Sequence, residues 1–226
     1  MLFNSIIFIT VFLPIALLGW FLLQRLENPI YAKLFIVGMS FWFYGYYNLF
    51  YLWILLASIF FNFMFSVLME HMGKPGMRKL LLAVGLLGNI GMLFYFKYFN
   101  FFVDNCNYLL HTDIHLEKIA LPLGISFFTF QQISFVVERY RGTAPHYTLP
   151  DYMFFVSFFP QLIAGPIVLH SELIPQLQER KNRRPSADQF FGGFALFILG
   201  LAKKVLLADS LAVLVNAEYN NIAALD

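Results

Sequence analysis

Residues 34–69 read LFIVGMSFWFYGYYNLFYLWILLASIFFNFMFSVLM, and this stretch contains no Asp, Glu, Lys or Arg. As one α-helix it would extend roughly 54 Å at about 1.5 Å per residue. That length exceeds the hydrocarbon core of a bilayer, which is about 30 Å thick. Gly45 and Asn48 lie in the middle and favour a turn, so the stretch is predicted to form a hairpin of two transmembrane helices. The first of them, residues 34–47, is short and is predicted to be tilted or partly interfacial.

The composition of the whole chain agrees with a membrane location. The chain has 226 residues, of which 60% are hydrophobic, 19% aromatic and 12% charged, and its mean hydropathy is +0.69. A soluble domain carries about 25% charged residues, so this composition excludes a soluble globular protein, a disordered chain and a nucleic-acid binder. It predicts an all-α, polytopic helical membrane protein, since helices satisfy their own backbone hydrogen bonds in lipid. The single cysteine, Cys106, excludes an intramolecular disulfide framework and a cysteine-cluster metal site.

Two further spans look regular. Residues 2–23 form the first, with a kink predicted at Pro14. This stretch lacks the basic start and the small-residue cleavage site of a signal peptide, so we interpret it as an uncleaved transmembrane segment. Residues 80–96 form the fourth span.

Three later apolar stretches, residues 119–137, 152–171 and 189–208, are less regular. The first two contain polar and helix-breaking residues: Pro122, Gly124, Ser126, Gln131, Gln132, Pro160, Gln161, Gly165 and Pro166. Such backbone is tolerated at membrane depth only where protein shields it or where it lines a wet cavity. Residues 119–171 are therefore predicted to form an interrupted, protein-shielded hydrophilic path inside the bilayer.

Basic residues predict the orientation, because positively charged loops stay in the cytoplasm. The relevant residues are Arg25, Lys33, Lys74, Arg78, Lys79, Arg180, Lys181, Arg183 and Arg184. The N-terminus then faces outward, loops 24–33 and 70–79 face inward, and residues 104–115 form an outer loop. To keep the last basic cluster inside, either 119–137 or 152–171 must be re-entrant. We favour 152–171, because Pro160 and the Gly165-Pro166 pair interrupt it.

Histidines are candidates for chemistry. His111 and His115 are four residues apart and have Asp113 and Glu117 nearby, but two imidazoles alone make a weak metal site. A solvated outer loop is the favoured interpretation, and no bound metal is expected. His170 is a candidate proton-transfer group at a channel mouth, although an interfacial histidine satisfied by water or backbone is favoured.

Other polar residues allow two interpretations. Gln131 and Gln132 are costly in lipid, so at least one is predicted to face the protein interior. There, contact with a substrate and hydrogen bonding between helices are equally compatible with the sequence. Arg139 and Arg141 are favoured as a helix anchor over a site for the phosphates of a donor such as coenzyme A. The side chains of residues 203 and 204, both lysines, are predicted to extend to the membrane interface near the end of their helix.

Three sequence motifs carry a family resemblance. Residues 121–131 read LPLGISFFTFQ and are followed by ERYRG at 138–142, residues 158–167 read FFPQLIAGPI, and residues 200–209 read GLAKKVLLAD. In this order and spacing they resemble the membrane-bound O-acyltransferase family, most closely the bacterial branch typified by the alginate O-acetyltransferase membrane subunit. The aromatic N-terminal spans fit this resemblance too.

The resemblance implies a multi-pass enzyme of the bacterial inner membrane that moves an acetyl group from a cytoplasmic thioester, such as acyl-CoA, towards hydroxyls outside. The implied acceptors are an exported cell-surface polysaccharide such as alginate, or a periplasmic acyltransferase partner protein, and no cofactor is expected to stay bound. Residues 1–226 are then one membrane domain, expected to be the N-terminal part of a longer chain whose catalytic histidine lies beyond residue 226. No catalytic residue is assigned within this chain.

The resemblance also suggests where a substrate would pass. The candidate channel residues are Pro122, Gly124, Ser126, Gln131, Gln132, Gln161, Gly165 and Pro166, and the donor-phosphate candidates are Arg139 and Arg141. A transporter or channel subunit is the alternative, because discontinuous helices also mark transport sites. No internal repeat supports that alternative, and a non-catalytic scaffold for an export complex is a third interpretation.

Overall fold

The computed structural model describes residues 1–112, 119–163, 165–166, 168–179 and 186–222. These ranges contain helices and irregular segments but no β-strand, which confirms the all-α fold class. The helices are α1 (Leu13–Leu23), α2 (Ile30–Gly45), α3 (Leu49–His71), α4 (Pro75–Leu93), α5 (Phe99–Leu110), α6 (Ile125–Arg141), α7 (Leu149–Ser157), α8 (Phe159–Leu162), α9 (His170–Gln178), α10 (Ala187–Ala202) and α11 (Asp209–Ile222). Three helices of the described residues are long and apolar enough to cross a membrane: Leu49–His71, Pro75–Leu110 and Ala187–Tyr219.

The hairpin predicted for residues 34–69 is confirmed. Helix α2 ends at Gly45, and α3 begins at Leu49 with Asn48 as its N-cap. The Asn48 side chain accepts a hydrogen bond of 2.8 Å from the backbone N–H of Phe50, which satisfies one of the donors that a helix N-terminus leaves free. Helix α2 begins earlier than residue 34, at Ile30.

The first predicted span is a shorter apolar helix, Phe8–Leu23. Its first part, Phe8–Phe12, is a π-helical turn, and α1 follows directly with Pro14 in its first turn. Pro14 lies inside this continuous helix, where it removes one backbone hydrogen bond and its ring crowds the preceding turn, and that turn is the π-helical one.

Two predicted helix ends are wrong. The fourth span was expected to stop at residue 96, but the helix runs without a break over Pro75–Leu110, with a π-helical turn at Phe94–Tyr98. Asp104 therefore lies within α5 instead of in an outer loop. Neither Gly nor Pro occurs between Tyr95 and Leu110, so nothing in the sequence ends the helix there.

The last span is extended in the same way. Ala187–Tyr219 is one helix that passes through a π-helical turn at Lys203–Ala208. Lys203 and Lys204 consequently lie in its middle and not near its end, because the sequence after Gly200 again offers no helix breaker.

Contacts place two predicted cytoplasmic loops at the same end of the bundle as the end of α6. Lys33 forms an ion pair with Asp151 at the start of α7. Arg78, after the α3–α4 turn, donates to the carbonyl oxygen of Tyr140 at 2.8 Å near the end of α6. These contacts agree with the prediction that loops 24–33 and 70–79 lie on one side of the membrane together with the end of α6.

The segment from Leu149 to His170 enters the bundle and returns to the same end. Near its start, Asp151 contacts Lys33. Further along, the backbone N–H of Phe159 donates to Ser40 Oγ in α2 at 3.2 Å, so the segment follows α2 into the bundle. Its far end is His170, whose ring lies against Tyr147 in the loop that precedes the segment. These contacts support the prediction that this segment is re-entrant, and we call residues 149–170 the re-entrant segment.

The re-entrant segment is interrupted where the sequence suggested. Helix α7 ends at Ser157, and the four-residue helix α8 begins at Phe159 with Pro160 in its first turn. By contrast, α6 is unbroken, and the interruption expected in residues 119–137 is confined to the part before Gly124.

Two aromatic-rich cores hold the helices together. One contains Phe135, Tyr152 and Phe155 between α3, α6 and α7. The other contains Phe12, Phe43 and Phe159, whose ring centroids lie 5.1–5.6 Å apart, a spacing typical of favourable aromatic contacts. Helix α7 lies between the two cores and separates them.

Candidate functional site

Five buried polar side chains meet where α3, α4, α6 and α7 pack together. We call this group the polar core cluster; its members are Ser58, Asn62, Asn89, Gln132 and Tyr152. Asn62 Nδ2 donates to Asn89 Oδ1 at 3.1 Å and to Gln132 Oε1 at 3.0 Å. Gln132 Nε2 donates to Ser58 Oγ at 2.9 Å, and the Tyr152 hydroxyl donates to Gln132 Oε1 at 3.3 Å.

This cluster satisfies its members mutually. Asn89 Nδ2 completes it by donating to Asn62 Oδ1 at 2.6 Å and to the carbonyl of Gly85 at 2.8 Å. Polar side chains shielded from lipid are stable only when they are paired in this way. The polar core cluster therefore fixes how four helices are aligned, and it confirms that Gln132 faces the interior.

A second group lies at the end of the bundle where the re-entrant segment returns. We call Glu138, Tyr147 and His170 the histidine cluster. His170 Nε2 lies 2.8 Å from Glu138 Oε2, and its Nδ1 lies 3.1 Å from the Tyr147 hydroxyl. Because a carboxylate only accepts, Nε2 carries the proton and Nδ1 of a neutral ring accepts from Tyr147. Burial raises the pKa of Tyr147, which keeps its hydroxyl protonated as a donor.

The histidine cluster is shielded by aromatic rings. His170 is only 1% exposed, and the rings of Phe135 and Phe155 approach it edge-on at centroid distances of 5.3 and 5.9 Å. Ser134 Oγ also donates to Glu138 Oε1 at 3.2 Å. The expectation that His170 is satisfied by water or backbone is wrong, since two side chains bind its ring.

The candidate donor-phosphate arginines differ in their surroundings. Arg139 is buried, and its guanidinium donates to the carbonyls of Ala144 and Pro145 at 3.3 and 2.8 Å and lies 3.6 Å from Glu70 Oε2. Arg141 is exposed at the end of α6. A role for either in binding phosphate stays a prediction.

The two interruptions predicted from the sequence touch each other. Gly124, with φ +71°, starts α6, and a Cβ at this position would lie 2.4 Å from the carbonyl oxygen of Leu162 at the end of α8. Only glycine fits, because any side chain would overlap this carbonyl and a positive φ disfavours other residues. At the break of the re-entrant segment, Gln161 Nε2 donates to the carbonyl of Phe155 at 2.7 Å.

The remaining channel candidates are spread around this contact. Gln131 is buried and Gly165 is half-buried, while Pro166 is exposed. Ser126 Oγ lies 3.4 Å from Lys97 Nζ, and the Pro122 carbonyl accepts from the N–H of Ile125 at 3.3 Å. Their role as walls of a passage stays a prediction.

Some predicted sites fall outside the described residues. These are Asp113, His115 and Glu117 of the candidate metal site, and the basic cluster Arg180, Lys181, Arg183 and Arg184. His111 is described and is exposed just after α5, with φ 49°.

Sequence reasoning missed several members of the two clusters. Asn62 and Asn89 are amides inside otherwise apolar spans, and the cost of burying an unpaired amide in lipid predicts that each has a partner. The pairing of Glu138 with His170 had no such signal, because the two residues are far apart in the chain and meet only when the re-entrant segment returns.

The chain is similar to curated bacterial acyltransferases. It is 39% identical to the peptidoglycan O-acetyltransferase of Helicobacter pylori, over 94% of this chain and 45% of that protein. It is 37% identical to a probable alginate O-acetylase AlgI of Pseudomonas putida, over 94% of this chain and 44% of that protein. A teichoic acid D-alanyltransferase of Streptococcus thermophilus is 28% identical over 38% of this chain and 21% of its own length.

The chain spans less than half the length of the two O-acetyltransferases it matches. No protein-family model and no solved structure matches it. Identity of 34–39% over 94–95% of this chain, with apolar helices and the three motifs, shows that the chain corresponds to part of a membrane-bound O-acyltransferase.

Proposed function

We propose that the protein containing this chain transfers an acetyl group from a cytoplasmic thioester to hydroxyls of an exported cell-surface polysaccharide. Alginate and the glycan of peptidoglycan are the two acceptors that the names of the relatives suggest. The enzyme works as a multi-pass protein of the bacterial inner membrane, in contact with membrane lipid and with the polymer or a periplasmic acyltransferase partner protein.

The reaction exchanges one acyl bond for another. The C–S bond of the thioester breaks and a C–O ester bond forms, while the hydroxyl proton passes to a base and the departing thiolate takes up a proton. As the family resemblance implies, we expect the catalytic histidine of this step beyond residue 226, and we assign that role to none of the five histidines of this chain. The developing oxyanion needs hydrogen-bond donors, which the whole protein must supply.

The observation that carries this proposal is the re-entrant segment. A donor in the cytoplasm and an acceptor outside require a route through the protein, and broken helices can line such a route. The tip of the segment at Leu162 meets the start of α6 at Gly124, and Gln161 and Gln131 are buried in the same two segments. We assign the channel wall to residues of this contact.

The donor would approach from the end of the bundle that carries Arg139 and Arg141. Arg141 is exposed there and free to meet a phosphate of acyl-CoA, whereas Arg139 shapes the loop beside it through Ala144 and Pro145. Guanidinium groups bind phosphate through paired donors.

The experiment uses the full-length protein in a bacterium that lacks its own polysaccharide O-acetyltransferase. Base-labile acetate is measured on isolated peptidoglycan and on exported alginate, each in a strain that makes the polymer. We expect acetate on one polymer above the empty-vector level, and its identity assigns the acceptor. No acetate on either polymer, with the protein present in the membrane, would contradict the proposal.

Two substitutions test the channel wall. Gln161→Ala removes the hydrogen bond to Phe155, and Gln131→Ala removes a buried amide outside the polar core cluster. We expect each to reduce acetylation with unchanged protein level, and Asn105→Ala, at an exposed residue of α5, to leave it unchanged. Wild-type acetylation in both channel variants would remove the channel-wall assignment.

A further inference from the structure

An apolar cavity of about 820 Å³ lies on the opposite side of α7 from the polar core cluster. Helix α1 forms one wall, α7–α9 form the second, and α10 with the following π-helical turn forms the third. Its lining includes Leu13, Leu17 and Trp20 of α1 and Phe154 and Phe158 of the re-entrant segment. On α7, Tyr152 and Phe155 face the other core, and the ring of Phe155 contacts His170 there, so this cavity is separate from both polar clusters.

The cavity is elongated along the bundle. It follows α1 and the preceding turn from Phe8 to Phe21, which corresponds to roughly 20 Å at the helical rise. Its middle is aromatic and aliphatic, and Leu17 on its wall is 41% exposed on a helix surface expected to face lipid. A long apolar space beside the bilayer fits a flexible hydrocarbon chain better than a compact ligand.

Polar groups lie at the ends of this space. Lys204 and Asn4 line it, and Gln176 lines it as well. Along the helix axis, Lys204 is about 26 Å from the first residue of α10. It therefore lies on the far side of the apolar layer from the cytoplasmic end of that helix. The Lys204 ammonium is exposed and paired with Asp209, and an ammonium has three donors, so it retains donors for a phosphate.

We propose that this cavity binds one phospholipid of the surrounding bilayer, with an acyl chain between α1 and the re-entrant segment and the phosphate at Lys204. The apolar lining accounts for the chain, and the cation at the rim accounts for the phosphate. A lipid in this position packs against Phe158, next to the break of the re-entrant segment, and supports that segment from the side opposite the polar core cluster.

The experiment measures lipid retained by the full-length protein. The protein is reconstituted into vesicles of phosphatidylethanolamine and phosphatidylglycerol, extracted in mild detergent and examined by native mass spectrometry. We expect the wild type to retain one phospholipid. Gly200 lines the cavity, and a Cβ there meets nothing within 4 Å, so Gly200→Trp fills the space without backbone strain and should reduce retention about tenfold.

Matched variants separate the cavity from general surface effects. Gly192 lies on the same helix outside the cavity lining and also has open space around its Cβ position, so Gly192→Trp should retain lipid like the wild type. Lys204→Gln should weaken retention roughly tenfold, since a charged hydrogen bond is lost, and Lys203→Gln should not. Equal retention in Gly200→Trp and Gly192→Trp, or a wild type that retains no lipid because another segment occupies the cavity, would overturn the proposal.

Discussion

Asn62 is the residue on which the polar core cluster depends. It donates to Asn89 and Gln132 and accepts from Asn89, so it links α3 to both neighbouring helices. In an apolar bundle, hydrogen bonds of this kind decide which helix faces meet, because hydrophobic contacts alone do not distinguish one apolar face from another. The chain thus uses a few amides to select one arrangement of apolar helices.

Replacing one member of the cluster should be costly. Gln132→Leu removes the hydrogen bonds that Ser58 and Tyr152 make to this amide and one of the acceptors of Asn62, and we expect a loss of about 1–3 kcal/mol in the free energy of unfolding. SDS titration of the full-length protein in mixed micelles measures it. Gln131→Leu is the control, since Gln131 is buried outside the cluster, and equal losses in the two variants would contradict the assignment.

Asp151 predicts a dependence of stability on pH. Burial raises the pKa of its carboxyl, but hydrogen bonds from Lys33 and Thr148 outweigh burial and hold the pKa below its ordinary value of 3.8. A lowered pKa in the folded state means that the carboxylate stabilises the fold above pH 3.8 and that this contribution is lost as the pH falls through the lowered value.

The measurement compares wild type with Asp151→Asn. Between pH 7 and pH 3 the wild-type protein should lose more thermal stability in detergent than the variant, because only the wild type has this carboxylate to protonate. Parallel curves for the two proteins would show that the pairing of Asp151 with Lys33 does not contribute.

At the scale of elements, the re-entrant segment is held from three sides. Its start is capped by Thr148, which forms a capping box with Asp151. Its tip is fitted against Gly124, and its return is bound by Glu138 through His170. Its longest helix, α7, has nine residues and is too short to cross a bilayer, so these side-chain and backbone contacts replace the pairing that a long helix provides for itself.

The contact at the tip predicts a difference between two glycines. Gly124 and Gly142 both have positive φ, +71° and +76°, but a Cβ at Gly142 meets nothing within 4 Å. Both alanine variants should lose about 1–3 kcal/mol from backbone strain. Gly124→Ala should lose more and should also reduce acetylation, because its methyl group displaces Leu162.

Acetylation and SDS titration are measured together on the full-length variants. The element-scale explanation requires that activity fall in Gly124→Ala and stay close to wild type in Gly142→Ala. The same activity in both would mean that the tip of the re-entrant segment does not depend on this glycine.

At the scale of the whole molecule, one end of the bundle collects most of the described ionic contacts. Lys33, Arg78, Arg139 and the histidine cluster lie there. The opposite end has the α2–α3 turn and the start of α6, where the Tyr44 hydroxyl donates to the Leu123 carbonyl at 2.7 Å. This asymmetry agrees with the orientation expected from the positive charges.

Cysteine labelling tests the orientation and the re-entrant segment together. In a cysteine-free background, single cysteines replace three exposed residues, His111, His146 and Glu172. A membrane-impermeant maleimide should label position 111 in intact cells, and positions 146 and 172 only after the inner membrane is permeabilised. Labelling of 146 and 172 from opposite sides would show that residues 149–170 cross the membrane.

The sequence predicted a large part of this architecture for local reasons. Residues 34–69 are too long for one span and contain Gly45 and Asn48, so the hairpin followed from length and turn chemistry. Pro160 cannot sit inside a helix without breaking it, so the interruption of 152–171 also followed. The ends at residues 96 and 208 were wrong, because apolar content was used to end the two helices at points where the sequence has no helix breaker nearby.

The amino-acid sequence by itself determined the membrane environment, the helical class, the hairpin and the break at Pro160, because each depends on composition or on residues close together in the chain. Only the tertiary structure decided that Gly124 meets Leu162, that Asn62 pairs with Asn89 and Gln132, and that His170 pairs with Glu138. These pairings join residues from different helices, and the packing of whole helix faces selects them. A single sequence carries no local signal for that selection.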